Sequence, residues 1–299
     1  MDNNSINPQS DGIKLLKFLG IILRLIGFIF VGALVTMAIF GTDIAVQESF
    51  SEKDQLNLLF MQGFNHLITF IFLPLIYFFF LKREPEFQLG FKSEKIIIHL
   101  LLAILLILVS VPLINILAEW NKYINPPEFW GIKQWVTASE EKAKKLTETI
   151  AIYDNLTEMV LVLIVMAVLP AIGEEILFRG IVQNEFREVF KSPHVAIWIT
   201  GFIFSFMHFQ FFGFFPRMLL GIVFGYLYFW SGNLLVPIFI HFLNNALTLF
   251  AMNFYKKGAI DIDPESAENI PVGVALFSLV MLVYLLSAFK KYSQKDTEG

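Results

Sequence analysis

Residues 156–179 read LTEMVLVLIVMAVLPAIGEEILFR, and this stretch decides the class of the fold. Between Met159 and Gly173 it carries no charged side chain. A helix needs about 20 predominantly apolar residues to cross a bilayer, and this run approaches that length. Seven further segments do the same, near 18–41, 57–81, 96–118, 195–212, 214–231, 233–252 and 271–289. The expected fold is therefore all-α, a polytopic membrane helical bundle with about eight transmembrane helices.

Composition agrees. Of 299 residues 56% are hydrophobic and only 16% charged, against roughly 25% charged in soluble domains. The mean hydropathy is +0.66. A net charge of −4 gives no basic footprint, so nucleic acid is not an expected partner. With no cysteine, disulfides, thiolate metal sites and cysteine catalysis are excluded. Lys14 and Lys17 precede the first apolar run, as in a signal peptide. That run continues past 20 residues and contains Arg24, beyond the roughly 7–15 residues of a signal core, so it reads as an uncleaved span.

Lys and Arg in short loops set orientation. The 82–95 loop has Lys82, Arg83, Lys92 and Lys95; the 179–194 loop has Arg179, Arg187 and Lys191; the tail has Lys290, Lys291 and Lys295. With eight passes these fall on one side together with Lys14 and Lys17. The 42–56 loop holds Lys53 against Asp43, Glu48, Glu52 and Asp54. Both termini are expected in the cytoplasm. Residues 1–155 form an N-terminal membrane region of three spans and an extracytoplasmic loop, where Glu140–Lys145 makes a short surface helix. Residues 156–252 hold four spans and most of the intramembrane polar groups. Residues 253–299 supply the last span and a cytoplasmic tail.

An ionisable side chain at a span centre costs about 2.5–3.5 kcal/mol on insertion scales, so function is the first hypothesis for it. Glu175 and Arg179 are four apart, hence on one helix face and able to pair. Glu174 is turned about 100° away and stays available as a base. The competing reading of Glu174-Glu175-x-x-x-Arg179 is a helix end reaching the headgroups. His208 follows Phe204 by four and lies within the fifth apolar segment; the competing reading is a core histidine bonded to a carbonyl. His241 and Asn245 share one face of the seventh segment, where interhelical packing is the alternative for both; Asn244 points elsewhere and serves packing. Glu174 near the inner end of its span, with His208 and His241 roughly 12–20 Å deep in theirs, lets all three meet in the cytoplasmic half of the membrane.

The ordered set Glu-Glu-x-x-x-Arg, Phe-x-x-x-His and His-x-x-x-Asn resembles the CAAX protease and bacteriocin-processing family, also called the Abi family, over residues 156–252. The resemblance implies an intramembrane endopeptidase with Glu174 as catalytic glutamate and Glu175, His208, His241 and Asn245 as site positions. Arg179 and Phe204 are implied as structural support. The chemistry expected is a water activated between Glu174 and His208, with His241 and Asn245 donating to the oxyanion. The substrate is expected to be a membrane-associated peptide or protein, and the bilayer a bacterial-type cytoplasmic membrane.

A metal-independent glutamate mechanism is favoured. Glu174, His208 and His241 are the zinc ligands in the alternative. A non-catalytic immunity or scaffold protein of the same fold and an ion- or proton-coupled transporter are the rival functions. Among other polar positions, Asn65 and His66 read as helix glue or cavity lining, Arg24 as snorkelling, and His99 and His194 as solvated at interfaces. Pro170 is expected to kink its span and open room for substrate, and Asn155-Leu156-Thr157 matches a glycosylation acceptor abutting a span.

Overall fold

A computed structural model describes residues 8–41, 54–81, 96–124, 126–261 and 270–294. All regular structure among the described residues is helical. In hydrocarbon a chain must satisfy its own backbone groups, and a helix does so within one segment. In chain order the helices are α1 (Pro8–Phe40), α2 (55–81), α3 (Ile96–Lys122), α4 (Ile132–Ala151) and α5 (Leu156–Phe190), followed by α6 (Pro193–Phe206), α7 (Phe214–Ser231), α8 (Leu235–Lys256) and α9 (Val272–Gln294). All but α4 and α6 are long and apolar enough to span a bilayer, seven in total among the described residues. The protein is an integral multi-pass helical membrane protein.

Three boundaries differ from the sequence expectation. The fourth apolar segment does not end at 178: α5 runs on to Phe190, 35 residues in all. Arg179 is therefore no loop residue, and its charge says nothing about orientation. Polar residues do not end this helix because Arg179, Gln183, Asn184 and Glu185 are buried and bonded within the bundle. The fifth segment is shorter than expected, with α6 only 14 residues long. At 1.5 Å per residue that is about 21 Å, short of a hydrocarbon core of about 30 Å. Its start is fixed by Ser192, whose side chain accepts from the Val195 N–H, and by Pro193 in the first turn. Beyond Phe206 the chain turns through 207–213, with Phe209 at φ 52°. The surface helix is longer than Glu140–Lys145, since α4 has 20 residues and buries Val136, Ile150 and Ala151 on one face.

Lys53, Lys82, Arg83, Lys92, Lys95 and Lys295, together with Asp43, Glu48 and Glu52, lie outside the described residues. The α5 start is a side-chain cap: Asn155 accepts from the Glu158 N–H at 3.0 Å, and Glu158 reaches back to the Asp154 N–H at 2.8 Å. Asn155 is thus a capping residue, whatever its match to an acceptor motif. Pro170 lies inside α5. A proline ring meets the carbonyl four residues back, here Met166, and that residue sits in a widened π turn over Ile164–Val168.

Packing places the site. Glycines let two helix pairs approach closely. A Cβ on Gly221 of α7 would lie 3.1 Å from the Gly201 Cα of α6. A Cβ on Gly173 of α5 would lie 2.8 Å from the Phe70 Cβ of α2. Leu177, Phe178 and Val182 of α5 pack with Ile203 and Phe204 of α6 and with Ile21 and Leu25 of α1. On the other side Val223 and Phe224 of α7 pack with Ile240 of α8 and Leu106 of α3. Between these two groups the carboxylates of α5 meet the histidines.

Candidate functional site

Glu174 and Glu175 lie in the middle of α5, not near its end, just before a second π turn over Ile176–Val182. Such turns recur at functional sites. Successive positions on a helix face different neighbours, and the two carboxylates are divided accordingly. Glu175 is fully buried, and its Oε1 accepts from Arg179 at 2.7 Å and from His241 Nδ1 at 2.8 Å. Arg179, also fully buried, donates to the Gly221 carbonyl at 2.8 Å, and its guanidinium lies 4.8 Å from the Phe204 ring centroid. Phe204 thus backs the arginine as well as flanking the histidines, 5.1 Å from His208 and 6.0 Å from His241 between ring centroids.

Glu174 turns to the other side. Its Oε1 meets His66 Nε2 of α2 at 3.2 Å, and its Oε2 lies 3.9 Å from His241 Nε2. One cavity of about 100 Å³ is lined by Glu174, Phe204, His208, Arg217, Leu220, Phe224, His241, Asn244 and Asn245. It brings together the glutamate, both histidines and the asparagine that the sequence singled out.

His208 is not inside a span. It sits in the turn after α6, and its Nδ1 meets the Phe204 carbonyl at 2.8 Å. A carbonyl only accepts, so Nδ1 carries the proton and Nε2 is the free ring nitrogen. The same logic applies to His241, whose Nδ1 faces a carboxylate oxygen already bonded to an arginine. Both imidazoles are therefore held in one tautomer with Nε2 available for chemistry.

The turn carrying His208 is braced from three helices. Asn121 of α3 donates to the Phe211 carbonyl at 2.9 Å and accepts from the Phe215 N–H at 3.0 Å. Glu140 of α4 accepts from the Phe212 N–H at 2.8 Å. Arg217 of α7 holds Gln210 through its Oε1 at 2.8 Å and its carbonyl at 2.5 Å. Irregular backbone among apolar helices needs this satisfaction.

Several sequence expectations change here. Asn244 lines the cavity and donates to Asn245 Oδ1 at 3.3 Å, so it is not confined to packing. His66 contacts Glu174, while Asn65 is glue, accepting from Thr36 at 3.3 Å and Thr69 at 3.2 Å. Arg24 does not snorkel freely, because it pairs with Glu185 at 2.5 Å and bonds Tyr77. His99 is buried between α3 and α9, 3.0 Å from Ser293 Oγ. His194 is exposed, as expected, and meets the Tyr226 hydroxyl at 2.9 Å. Arg217 lines the cavity although no sequence motif marked it.

Comparison with known proteins follows the same residues. A family model described as Type II CAAX prenyl endopeptidase Rce1-like matches residues 156–247. This segment is similar to the Rce1-like family. It holds Glu174, Glu175, Arg179, Phe204, His208, His241 and Asn245, while His66 lies outside it. The uncharacterized protein YpbD of Bacillus subtilis (strain 168) is 30% identical over 113 residues, covering 36% of this chain and 55% of that protein. The chain thus spans about half the length of that relative. No solved structure matches.

A zinc ion in such a site would need three protein ligands and an open position. Among the described residues no group of three His, Cys, Asp or Glu side chains is arranged to hold a metal ion. Glu174, His208 and His241 do not fit as a ligand set in this arrangement, and no step is derived through a metal.

Proposed function

We propose that this protein is an intramembrane endopeptidase of the glutamate type, hydrolysing peptide bonds of a membrane-associated peptide or protein. The observation that carries the reading is the single cavity lined by Glu174, His208, His241 and Asn245. Its volume of about 100 Å³ holds a few water molecules.

The chemistry follows from the tautomers. Glu174 Oε2 is buried and has no hydrogen-bond partner among the described residues. A water there can pass one proton to this oxygen while its oxygen attacks the peptide carbonyl carbon. General-base assistance of this kind contributes roughly 10²–10⁴-fold. The carbonyl oxygen becomes negative and is met by the Asn245 amide. Its donor is that amide, because His208 and His241 carry their protons on Nδ1 and leave Nε2 a bare acceptor. Preorganised donors of this sort are worth about 2.7–4 kcal/mol each. Collapse of the tetrahedral intermediate breaks the C–N bond, and the proton held by Glu174 goes to the leaving amine. Glu175 takes no part in proton transfer. Held by Arg179, it orients His241. No metal is required in this sequence of steps.

The Rce1-like segment supports a substrate of CAAX type, a lipidated C-terminus at the membrane surface. We place both termini on the cytoplasmic side, which sets the His208 turn, bonded to Asn121 at the end of α3 and to Glu140 of α4, toward the opposite face rather than in the cytoplasmic half. This reading counts α6 as a pass that stops short and rests on Lys14, Lys17, Arg187, Lys191, Lys290 and Lys291. The test is cleavage of a library of membrane-tethered peptides, prenylated and unprenylated, by wild type, Glu174→Ala and His208→Ala. Cleavage by wild type alone is expected. Equal cleavage by all three would end the protease assignment. Wild type inert against every peptide would leave the non-catalytic scaffold reading in its place.

A further inference from the structure

We propose that His66 is a positioning residue for Glu174, so that the site is completed by a helix outside the Rce1-like segment. The kinetic part of this inference rests on the protease reading above; the contact itself does not.

Several linked features deliver His66. Its Nε2 makes the 3.2 Å contact that holds Glu174 Oε1. Its ring stacks on Phe70 with centroids 4.9 Å apart and planes 25° apart, one turn further along α2. Phe70 in turn sits against Gly173, where any side chain would clash, since a Cβ would lie 2.8 Å from the Phe70 Cβ. Gly173 immediately precedes Glu174, so the close approach that admits Phe70 also sets the distance from imidazole to carboxylate. Gly63, one turn before His66, faces Val165 of α5 less tightly: a Cβ built there would lie 3.3 Å from Val165 Cγ2. A π turn over Leu67–Phe72 begins immediately after His66.

The tautomer can be read from the surroundings. His66 Nδ1 is buried and has no hydrogen-bond partner among the described residues. An imidazolium would leave an N–H donor stranded there, whereas the neutral ring protonated on Nε2 leaves only a lone pair. His66 is therefore a neutral donor to Glu174. The carboxylate is thereby fixed through Oε1, and Oε2 is left as the oxygen nearest His241. Without His66 the carboxylate can rotate about its last bond, and the base loses its aim.

The experiment compares His66→Ala, His66→Gln and Glu174→Gln in the full chain. Glutamine places an amide Nε2 near the position of the imidazole Nε2 and keeps the donor. On a cleavable membrane-tethered peptide, His66→Ala is expected to lower kcat by roughly 10- to 100-fold, the loss of one hydrogen bond to a charged group, with KM little changed. Its pH–rate profile is expected to change shape rather than only scale, and His66→Gln to recover most of kcat. Unchanged kcat in His66→Ala, or a loss that glutamine does not rescue, overturns the proposal. A second readout needs no activity: the ¹⁵N resonance of His66 Nε2 in labelled protein, wild type against Glu174→Gln. A shifted resonance supports the pair even where wild type cleaves nothing, the case in which the protease reading alone fails. An identical resonance overturns the pair whatever the kinetics.

Discussion

Breaking the Glu175–Arg179 pair should have asymmetric consequences. Both side chains are fully buried and their charged atoms are 2.7 Å apart. Removing one partner of a buried pair typically costs about 3–5 kcal/mol, because the other charge is left without compensation. Glu175→Leu strands Arg179 with one carbonyl, that of Gly221, and two aromatic faces, so the upper part of that range is expected. Arg179→Met leaves Glu175 still accepting from His241 Nδ1 at 2.8 Å, so the carboxylate keeps one donor. Its cost should fall at or below the lower end, about 2–3 kcal/mol. The double variant Glu175→Leu/Arg179→Met should be milder than Glu175→Leu alone, since it buries no charge. Equilibrium unfolding in mixed micelles, read by the loss of helical signal against denaturant, measures all four corners of the cycle. A Glu175→Leu cost below about 1 kcal/mol, or a double variant equal to the sum of the singles, would refute the reasoning.

Other outcomes follow from the same geometry. Asn121→Leu removes one bond to the turn that carries His208 and one to the first turn of α7, so hydrogen exchange at the Phe215 amide should rise and the melting temperature fall; unchanged exchange means the brace is dispensable. Gly201→Ala should destabilise more than Gly221→Ala, both within about 1–3 kcal/mol, because its Cβ would lie 2.8 Å from Ile222 Cγ1 and 3.1 Å from the Ile222 nitrogen, against 3.1 Å at nearest for Gly221. Treatment with a chelator, followed by metal analysis, should leave cleavage intact and find no stoichiometric zinc. Activity lost to the chelator and restored by zinc would instead favour the metalloprotease alternative.

The sequence was informative wherever a single helix held the answer. The Glu175–Arg179 spacing gave their pairing, and the separation of Glu174 from it, because both facts follow from 3.6 residues per turn. Apolar run length found the seven helices long enough to span among the described residues and overran the short α6. What it missed depends on which helix a face meets. His66 reads as glue until Gly63 and Gly173 fix the approach of α2 to α5. Arg217 has no motif because its role comes from the turn it grips, and Asn244 reads as packing because its own helix gives no sign of the cavity. The end of α5 is not legible, because Arg179 looks like an interface residue when its burial partner is in the same helix. The Asn155-x-x-Glu158 cap is legible by its spacing, since a capping side chain and its partner stand three residues apart.

The short reach of α6 has a consequence for the lipid. A helix of about 21 Å ends its apolar surface roughly 9 Å before the far side of an ordinary hydrocarbon core. Bilayers adapt to such a shortfall by thinning around the protein, at a cost of fractions of a kcal/mol per ångström. The dip would form next to the His208 turn, shortening the path from bulk water to the cavity. Vesicles of longer acyl chains resist that dip, so the thickness of the host bilayer becomes a control on hydration of the site that no residue in the cavity encodes.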